Sequence, residues 1–358
     1  MRKIKVAIAG IGNCASSLIQ GFKYYENIDE KDKLVPGLMN NVFGDYKIND
    51  IVPVTAFDVD SRKVGKPLNE AIFAGENCTI KFSDPPENNV IVRKGKVLDG
   101  IGKYLKEKIP VDKKQKPVDV AKVLEESNAD VLVNYMPVGS EKASRYYAEQ
   151  CLKAGVGFIN AMPAFIVSGE KWPEKFEEAG LPCAGDDIKS QIGATILHRV
   201  LAQLLLDRGV KIDESYQLNI GGNTDFYNMI EEERLKSKRI SKTNAVQSLV
   251  PYKIPLRIGP SDYVEFLKDN KVCHIYMKGK KFGDVPMSID LKLSVEDSPN
   301  SGGVMIDAIR ATKIALDRGT SGQLISISAY SFKHPPEQYP DSVAKEMVKE
   351  FIRGERER

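Results

Sequence analysis

The chain has 358 residues, which is enough for two domains or for one large α/β domain with an inserted module. Its composition is that of an ordinary globular protein, and a net charge of +3 is too small to indicate a nucleic-acid or membrane-surface partner. No apolar run approaches the roughly 20 residues of a membrane span and no signal peptide is recognisable, so we expect a cytoplasmic protein that binds no membrane.

Cysteine and histidine offer little chemistry. The five cysteines are scattered without a CxxC spacing, which argues against a disulfide framework and a zinc ribbon. None of the three histidines has a helical partner at metal-ligand spacing. Acid–base chemistry is therefore expected to depend on Lys, Asp or Glu. Whether a divalent metal or a monovalent cation assists stays open.

The first element is predicted to be a buried parallel strand over residues 3–11, since KIKVAIAGI is short, apolar and β-branched. A glycine-rich turn follows and leads into a helix through about residue 25. Such a turn places backbone N–H groups and the positive end of a helix against a pyrophosphate. The fingerprint lacks its third glycine, but small residues replace it, and the candidates are Gly10, Gly12, Asn13, Cys14, Ala15 and Ser16.

The second strand, over residues 51–60, carries Asp58 at its carboxyl end. A carboxylate there can accept hydrogen bonds from both adenosine ribose hydroxyls and would repel a 2′-phosphate, which favours NAD over NADP. The alternative is a residue that only forms a turn at the strand end. The gap from the glycine turn exceeds the usual ~20 residues. We interpret residues 35–50 as an insertion that folds over or beside the cofactor.

Strand–helix units continue up to residue 170 and predict a doubly wound parallel sheet. Asn134 ends one of these strands, at the edge that lines a cofactor crevice. Helices are expected at 61–77, 98–108, 118–127 and 140–153, and strands at 79–83, 131–137 and 156–163.

Residues 185–190 stand between a strand near residue 182 and a helix over 191–207. Two adjacent acids at a helix start are favoured as a cap by the helix dipole. The same position lies at the carboxyl edge of the sheet, so we interpret Asp187 and Ser190 as neighbours of the nicotinamide end of the cofactor.

After residue 210 the pattern changes to the period-two alternation of an antiparallel sheet in a second domain. We expect residues 1–195 and 312–358 to form the cofactor domain, and 196–311 to form a catalytic and oligomerisation domain. The second sheet is predicted from strands at 215–220, 253–258, 272–278 and 287–295, followed by a helix at 301–317, a strand at 325–333 that returns to the first sheet, and a helix at 341–353.

The segment 217–242 is the best candidate for catalysis. Its strand breaks at two glycines and delivers Asn223 and Asp225 on a turn, and Lys238 and Lys242 follow on a predicted helix. Their spacing puts both ammonium groups on one helix face, which is unfavourable unless an anion lies beside them. A solvated helix with a charge run is the alternative. Polar side chains on a loop after a strand favour the catalytic interpretation.

Nine segments spread over nearly the whole chain share their pattern with a known family: GIGNCASS (10–17), VPGLMNN (35–41), AFDVD (56–60), NYMPVGS (134–140), GDDIKSQ (185–191), GGNTDFYN (221–228), SKRISK (237–242), VEDSPNS (295–301) and AYSFKHPP (329–336). By these segments the chain resembles the myo-inositol-1-phosphate synthases in their short prokaryotic form.

The resemblance implies a Rossmann-like α/β fold with an inserted α+β catalytic and oligomerisation domain, assembled as a homotetramer. It implies an isomerase that converts glucose 6-phosphate to 1D-myo-inositol 3-phosphate, the first step of inositol and inositol-phospholipid biosynthesis. NAD would be reduced and reoxidised within one turnover. The alternative is an ordinary NAD-dependent dehydrogenase of a phosphorylated metabolite, which would release NADH.

The resemblance also assigns roles to residues. Lys238 would shuttle the proton of the C5 hydroxyl while Lys333 polarises the same oxygen, and Lys271 would attend the C1 oxygen in the aldol step. Lys242 and Ser190 would hold the phosphate or its neighbourhood. Lysines packed together near a positive nicotinamide should have lowered pKa values and can give and take protons. The other assigned residues orient lysines and nicotinamide (Asp187, Asp225, Asp297), bond substrate hydroxyls (Asn219, Asn223) or adjoin the cofactor (Asn134 and Tyr147, the latter alternatively a packed core tyrosine).

Overall fold

The computed structural model describes residues 3–29 and 31–358. Its strands are β1 (Ile4–Ala9), β2 (Val42–Phe43), β3 (Tyr46–Lys47), β4 (Ile51–Asp58), β5 (Val92–Lys94), β6 (Val131–Asn134), β7 (Gly157–Asn160), β8 (Pro182–Gly185), β9 (Lys211–Gly221), β10 (Leu256–Tyr263), β11 (Asn270–Lys280), β12 (Pro286–Glu296) and β13 (Gly322–Gln323). Its α-helices are α1 (Asn13–Tyr24), α2 (Leu68–Ala71), α3 (Leu105–Lys108), α4 (Val120–Glu126), α5 (Glu141–Ala154), α6 (Trp172–Glu178), α7 (Ala194–Asp207), α8 (Thr224–Asn228), α9 (Lys236–Gln247), α10 (Pro299–Arg318), α11 (Ile325–Ser331) and α12 (Asp341–Arg353).

The main sheet has seven parallel strands in the order β13-β8-β7-β6-β1-β4-β5. Helices cover both faces, with α1 and α10 in the core on one side and α4 and α5 in the core on the other. Strands buried on both faces need continuous apolar runs, and the fully buried Ile8 and Val133 are typical of them. The predicted Rossmann-like doubly wound α/β sheet is confirmed.

The second sheet has the order β10-β9-β11-β12, and its strands are not all antiparallel as expected. Strand β11 is antiparallel to both of its neighbours, whereas β10 runs parallel to β9. The connection from β9 to β10 contains α8 and α9, and a long helical crossover returns the chain to the same end of a sheet. The prediction of a purely antiparallel sheet is therefore wrong for β10.

Residues 325–333 do not form the expected strand. The chain adds β13 to the edge of β8 and then turns into α11. The N–H of Phe332 donates to the carbonyl of Ser328 at 2.9 Å, which is the helical pattern. The alternation ISISAYS does not exclude a helix, because serine is small enough to be buried against neighbouring helices. Lys333 thus leaves a helix end instead of a strand.

The charged stretch before β6 is less regular than predicted. The helix expected over 61–77 is reduced to α2, and the one expected over 98–108 is reduced to α3. Gly65 has φ +85 and Pro67 follows it, and both interrupt a helix.

The segment 79–83 is extended but joins no sheet. The N–H of Phe82 donates to Oε1 of Gln20 at 2.9 Å, and that of Thr79 donates to Oδ1 of Asn13 at 3.1 Å. Because side chains of α1 satisfy these donors, a partner strand is not required, and the strand prediction is wrong.

Residues 35–50, predicted to fold over or beside the cofactor, pack elsewhere than along the cleft. They form the β2–β3 hairpin and pack against α10, where the buried guanidinium of Arg310 donates to the carbonyls of Asn40 (2.7 Å), Asn41 (3.2 Å) and Tyr46 (3.3 Å). None of residues 35–50 lines the cleft at the carboxyl edge of the main sheet.

The division into residues 1–195 with 312–358 and 196–311 stays a prediction, but one boundary falls at an unsuitable place. Residue 311 lies inside α10, and Met305, Ile309 and Ala315 of this helix all belong to the core of the main sheet. A boundary before Pro299 would keep α10 whole. Helix α7, by contrast, packs against the second sheet, in agreement with a boundary near residue 195.

Helix α12 is tied to the rest of the fold by a buried ionic cluster. Its first residue, Asp341, accepts hydrogen bonds from Nζ of Lys189 at 3.0 Å and Nε of Arg199 at 2.7 Å. Both cations are almost fully buried. Although burial opposes it, the two cations hold the pKa of Asp341 below its ordinary value.

We predict that Asp341→Asn lowers the free energy of unfolding by about 3 kcal/mol at neutral pH, because it leaves two buried cations without their carboxylate. Urea unfolding measures this. A carboxyl with a lowered pKa stabilises the fold above its ordinary pKa and loses that contribution as the pH falls through the folded value, so the difference should shrink in acid. Glu346→Gln, at an exposed site of α12, is the control and should change stability by less than about 0.5 kcal/mol. An equally small effect of Asp341→Asn would contradict the assignment.

Candidate active site

One continuous cleft runs along the carboxyl edge of the main sheet and extends to α9 in the second domain. This edge is where parallel α/β sheets bind ligands, because loops and helix N-termini converge there. Most residues selected from the sequence line the cleft: Gly10, Gly12, Asn13, Cys14, Ala15, Asp58, Tyr147, Asp187, Ser190, Asn223, Asp225, Lys238, Lys242, Lys271, Asp297 and Lys333.

The glycine turn after β1 leaves a helix end open. Gly10 has φ +92, and a Cβ there would lie 2.5 Å from the carbonyl oxygen of Tyr135, so only glycine fits. A Cβ at Gly12 would meet nothing within 4 Å. Helix α1 begins directly after it, with no side-chain cap and no acid in its first turn. Its first N–H groups are therefore available to an anion.

Asp58 holds this turn in place. Its Oδ2 accepts from the N–H of Ile11 at 2.8 Å, and its Oδ1 accepts from the N–H groups of Val59 at 2.7 Å and Asp60 at 2.9 Å. The carboxylate thus joins the end of β4 to the glycine turn while lining the cleft. The turn-forming role weighed as an alternative is present, and it is compatible with a role toward a ribose.

Tyr147 also reaches this end of the cleft. Burial raises the pKa of its phenol, and the nearby Asp58 adds to the effect. A Cβ on Gly95 would lie 2.3 Å from the tyrosine hydroxyl, so this glycine makes room for it.

Three selected residues do not line the cleft. Ser16 is buried in α1. Asn134 is fully buried and donates to Oδ1 of Asn160 at 2.8 Å. This bond joins the carboxyl ends of β6 and β7. Asn219 donates to the carbonyl of Gly259 at 2.8 Å, between two strands of the second sheet. Period-two alternation puts Asn219 on the same face as Ser215 and Gln217, whose side chains contact His198 of α7.

Four lysines meet three carboxylates in the remaining part of the cleft. Nζ of Lys238 lies 2.7 Å from Oδ2 of Asp225, and Nζ of Lys271 lies 2.9 Å from Oδ1 of Asp297. Although burial opposes it, Asp297 raises the pKa of Lys271, and Lys271 in turn holds the pKa of Asp297 below its ordinary value. The second oxygen of Asp225, Oδ1, is buried and has no hydrogen-bond partner among the described residues.

Asp187 forms the third pair. Its backbone is left-handed, with φ +62, and its Oδ1 accepts from Nζ of Lys333 at 2.8 Å. Its Oδ2 accepts from Oγ of Ser241 at 2.6 Å. Burial alone would raise the pKa of Asp187, but Lys333 and Lys238 hold it below its ordinary value. Lys333 thus contacts this carboxylate directly, whereas Lys238, which pairs with Asp225, acts on it only through its charge.

Lys242 is the fourth lysine, and no hydrogen bond or ion pair joins it to any residue of 3–29 or 31–358. Burial lowers its pKa well below the ordinary value, and the charges of Lys238, Lys271 and Lys333 lower it further. The expected depression of a lysine pKa in this cluster falls on Lys242. A buried amine with three cationic neighbours favours either the neutral form or an added anion.

Two further residues of the site were not selected from the sequence. Ser241 stands between Lys238 and Lys242 in SKRISK, and its position one turn after Lys238 could have indicated that it faces the cleft. Asp269 is 1% exposed and accepts a hydrogen bond from Nδ2 of Asn223 at 2.9 Å. The sequence around Asp269 is a charged loop with no periodic pattern, so nothing in it indicates that this acid is buried beside the site.

Within residues 3–29 and 31–358, no three or more His, Cys, Asp or Glu side chains are grouped so that they could hold a metal ion. Over the same residues, no helix has the length and apolarity that crossing a membrane requires.

The fold and the cleft define a Rossmann-like α/β enzyme, and the four clustered lysines but no histidine are among the described residues that line the cleft. The family model for myo-inositol-1-phosphate synthase matches residues 193–298. The inositol-3-phosphate synthase of Mycolicibacterium smegmatis is 54% identical over 359 residues, which cover 98% of this chain and 98% of that protein. The enzyme of the same name from Corynebacterium glutamicum is 52% identical over 357 residues, with 98% of each chain covered.

A solved structure agrees with these relatives. The crystal structure of a myo-inositol-1-phosphate synthase-related protein from Thermotoga maritima is similar with a TM-score of 0.80 and 26% identity, over 98% of each chain. The chain belongs to the inositol-3-phosphate synthase family.

We predict that Lys242→Met raises the free energy of unfolding by about 0.5–2 kcal/mol at neutral pH, since it removes a desolvated amine surrounded by cations. A lysine with a lowered folded-state pKa destabilises the fold most fully below that pKa. The gain should therefore shrink as the pH rises toward ~10.4, where the unfolded chain also loses its proton. Urea unfolding across pH measures it.

Lys236→Met is the matched control for this measurement, because Lys236 is exposed on the same helix. It should leave stability within about 0.5 kcal/mol of the wild type. A destabilised Lys242→Met protein would show that the amine is paired and favourable in the fold.

Proposed function

We propose that this chain converts D-glucose 6-phosphate to 1D-myo-inositol 3-phosphate, with NAD as a catalytic cofactor. Membership of the family supports the reaction. The observation that carries it is the cluster of four lysines and three carboxylates in the cleft that begins at the glycine turn. The cluster has one cation in excess, as a site for a phosphorylated sugar requires.

The residues at the other end of the cleft fit a dinucleotide. The uncapped N-terminus of α1 and the open side of Gly12 suit a pyrophosphate, and the carboxylate of Asp58 suits a ribose. When bound, NAD would supply the acceptor for the hydride that leaves C5 and returns to it later in the turnover. Asp187, Asp225 and Lys238 would adjoin its nicotinamide end.

The substrate phosphate would lie near Lys242 and Ser190. The lowered pKa of Lys242 supports this assignment, because a dianion beside the amine restores its charge and removes the repulsion from the other lysines. Ser190 lines the cleft just before α7, whose N-terminus adds favourable dipoles.

Proton transfer would depend on the paired lysines. Lys238 would shuttle the proton of the C5 hydroxyl and Lys333 would polarise the same oxygen. In support, both lysines line the cleft, and the charge of each lowers the pKa of Asp187. Lys271 would stabilise charge on the C1 oxygen during ring closure, because its pairing with Asp297 keeps it protonated. Each carboxylate fixes the position of its lysine, and preorganised cations stabilise oxyanions without reorganisation.

Assembly as a homotetramer is part of this proposal. The second sheet exposes the stacked rings of Tyr216 and Tyr276, whose centroids lie 5.1 Å apart. Helix α7 exposes Val200 and Leu204, each about half accessible. Apolar groups left exposed on the sheet and on α7 favour burial against further copies of the chain.

The test of the function is incubation of the purified protein with glucose 6-phosphate and NAD, followed by ³¹P NMR of the products. An inositol phosphate without lasting NADH absorbance supports the proposal. Stoichiometric NADH would favour the ordinary dehydrogenase instead. Repeating the assay with a chelator determines whether a divalent metal takes part.

We predict that Lys238→Ala lowers the rate of inositol phosphate formation by ~10²–10⁴-fold, the usual loss for a positioned acid–base group. Folding, followed by circular dichroism, and NAD affinity, followed by calorimetry, should be largely retained. Lys236→Ala is exposed on the same helix and should keep wild-type activity. Turnover of Lys238→Ala within a few-fold of wild type would move the catalytic role to Lys271 and Lys333.

We predict that Asp58→Ala weakens NAD binding by about tenfold or more, since hydrogen bonds to a charged acceptor contribute about 1.5–3 kcal/mol each. It should also relax the exclusion of NADP. Asp58→Asn can keep a bond to the Ile11 N–H, so it should relax discrimination with a smaller loss of NAD affinity. Titration of NAD and NADP into the wild type and both variants measures this. An unchanged ratio of the two affinities would contradict the role of Asp58 at the ribose.

A further inference from the structure

Asp269 is a buried carboxylate that the proposed chemistry does not use. It lies just before β11 and is 1% exposed. Its Oδ1 accepts from Nδ2 of Asn223 and from Oγ of Ser298, each at 2.9 Å, and its Oδ2 accepts from the N–H of Ser298 at 3.2 Å. The two partners belong to separate segments, one before α8 and one before α10.

The contact with Asn223 fixes one lysine pair. Oδ1 of Asn223 accepts from the N–H groups of Asp225 at 3.0 Å and Phe226 at 3.1 Å, so this side chain caps α8. Its amide nitrogen is held by Asp269, which leaves the oxygen free for the cap. The cap sets the position of Asp225, and Asp225 pairs with Lys238 at 2.7 Å.

The contact with Ser298 fixes the second pair. Ser298 directly follows Asp297, whose N–H donates to the backbone carbonyl of Asp269 at 2.9 Å. Asp297 pairs with Lys271 at 2.9 Å, and Lys271 lies two residues after Asp269, near the start of β11. Both members of this pair are therefore tied to the Asp269 segment.

We propose that Asp269 is a positioning residue that holds the Lys238–Asp225 and Lys271–Asp297 pairs in their relative places, so that the two lysines act on one substrate. The inference rests on the proposed function. The two ion pairs would both depend on the buried carboxylate of Asp269.

The charge state of Asp269 agrees with this role. Burial raises its pKa to about 6, and the hydrogen bonds from Asn223 and Ser298 oppose the rise. At neutral pH the group is a carboxylate, which can accept every hydrogen bond that converges on it. An asparagine at this position would turn its NH₂ group toward some of these N–H and O–H donors and could not accept their hydrogen bonds. An alanine could accept none of the hydrogen bonds.

Asp307 provides a matched comparison. It is also 1% exposed, and its Oδ2 accepts from Nδ2 of Asn40 at 2.6 Å while its Oδ1 pairs with Arg310. Its partners hold the β2–β3 hairpin, and neither they nor Asp307 lines the cleft. A buried carboxylate with a purely structural role should behave as Asp307 does.

The experiment compares Asp269→Ala, Asp269→Asn and Asp307→Asn with wild type in the glucose 6-phosphate assay. For Asp269→Ala we expect kcat to fall by about 10²-fold, the effect of a misplacement of roughly 1 Å. The KM for glucose 6-phosphate should be nearly unchanged, because Lys242 and Ser190 do not depend on Asp269. Asp269→Asn should lose less, and its partial recovery covers the case in which the alanine variant does not fold. Asp307→Asn should lose stability but keep kcat.

Crystal structures of the Asp269 variants supply a readout that does not depend on turnover. We expect the Lys238–Asp225 and Lys271–Asp297 distances to lengthen from 2.7 and 2.9 Å. Unchanged distances, or a kcat equal to that of wild type, would overturn the role of Asp269. A wild-type protein that forms no inositol phosphate would overturn the proposed function instead, and the two distances would still decide the positioning role.

Discussion

The repulsion between four amines in one buried cleft is the constraint on which the rest of the site depends. Charged groups out of water are tolerated only when they are paired, and here three of the lysines each have a carboxylate within 3 Å. The carboxylates come from three separate segments, after β8, in α8 and before α10. The cluster can therefore form only when these three segments have packed against one another.

The β9–β10 crossover satisfies this constraint within the second domain. It places α8 and α9 consecutively beyond one end of the mixed sheet, so that Asp225 and Lys238 can pair within a short segment. The same crossover is anchored to the main domain, where Nε of Arg234 donates to the carbonyl of Val138 at 2.9 Å. The N–H of Lys103 adds a bond to Glu231 at 2.6 Å. The crossover that carries α9 is thus held directly against the loops of the main sheet.

Lys242 has no hydrogen-bond or ion-pair partner in the described part of the chain, and this has a physical cost that a purely structural cluster would avoid. A fourth carboxylate would neutralise the cleft and stabilise the fold, but it would also repel a phosphorylated substrate. Strain of this kind concentrates at functional sites because binding relieves it. Two polar groups of the cleft lack partners among the described residues: the amine of Lys242, whose pKa is lowered, and Oδ1 of Asp225.

The sequence by itself determined the elements whose signals are local. Strand β1, its glycine turn and α12 follow from short-range patterns. Helical spacing indicated Lys238 and Lys242, whereas Lys271 and Lys333 were indicated by the resemblance to the family, and the cleft brings all four together. Asp58 and Asp187 were found for the same reason, because a strand end fixes where its next residue lies.

Only the tertiary structure decided the features that depend on distant partners. Residues 325–331 became a helix because their serines pack against neighbouring helices, and 79–83 needed no strand because α1 supplies its acceptors. Asn219 does not line the cleft, because its amide donates to the carbonyl of Gly259 in the neighbouring strand β10. Asp269 matters through contacts with residues 46 and 29 positions away, which no local pattern encodes.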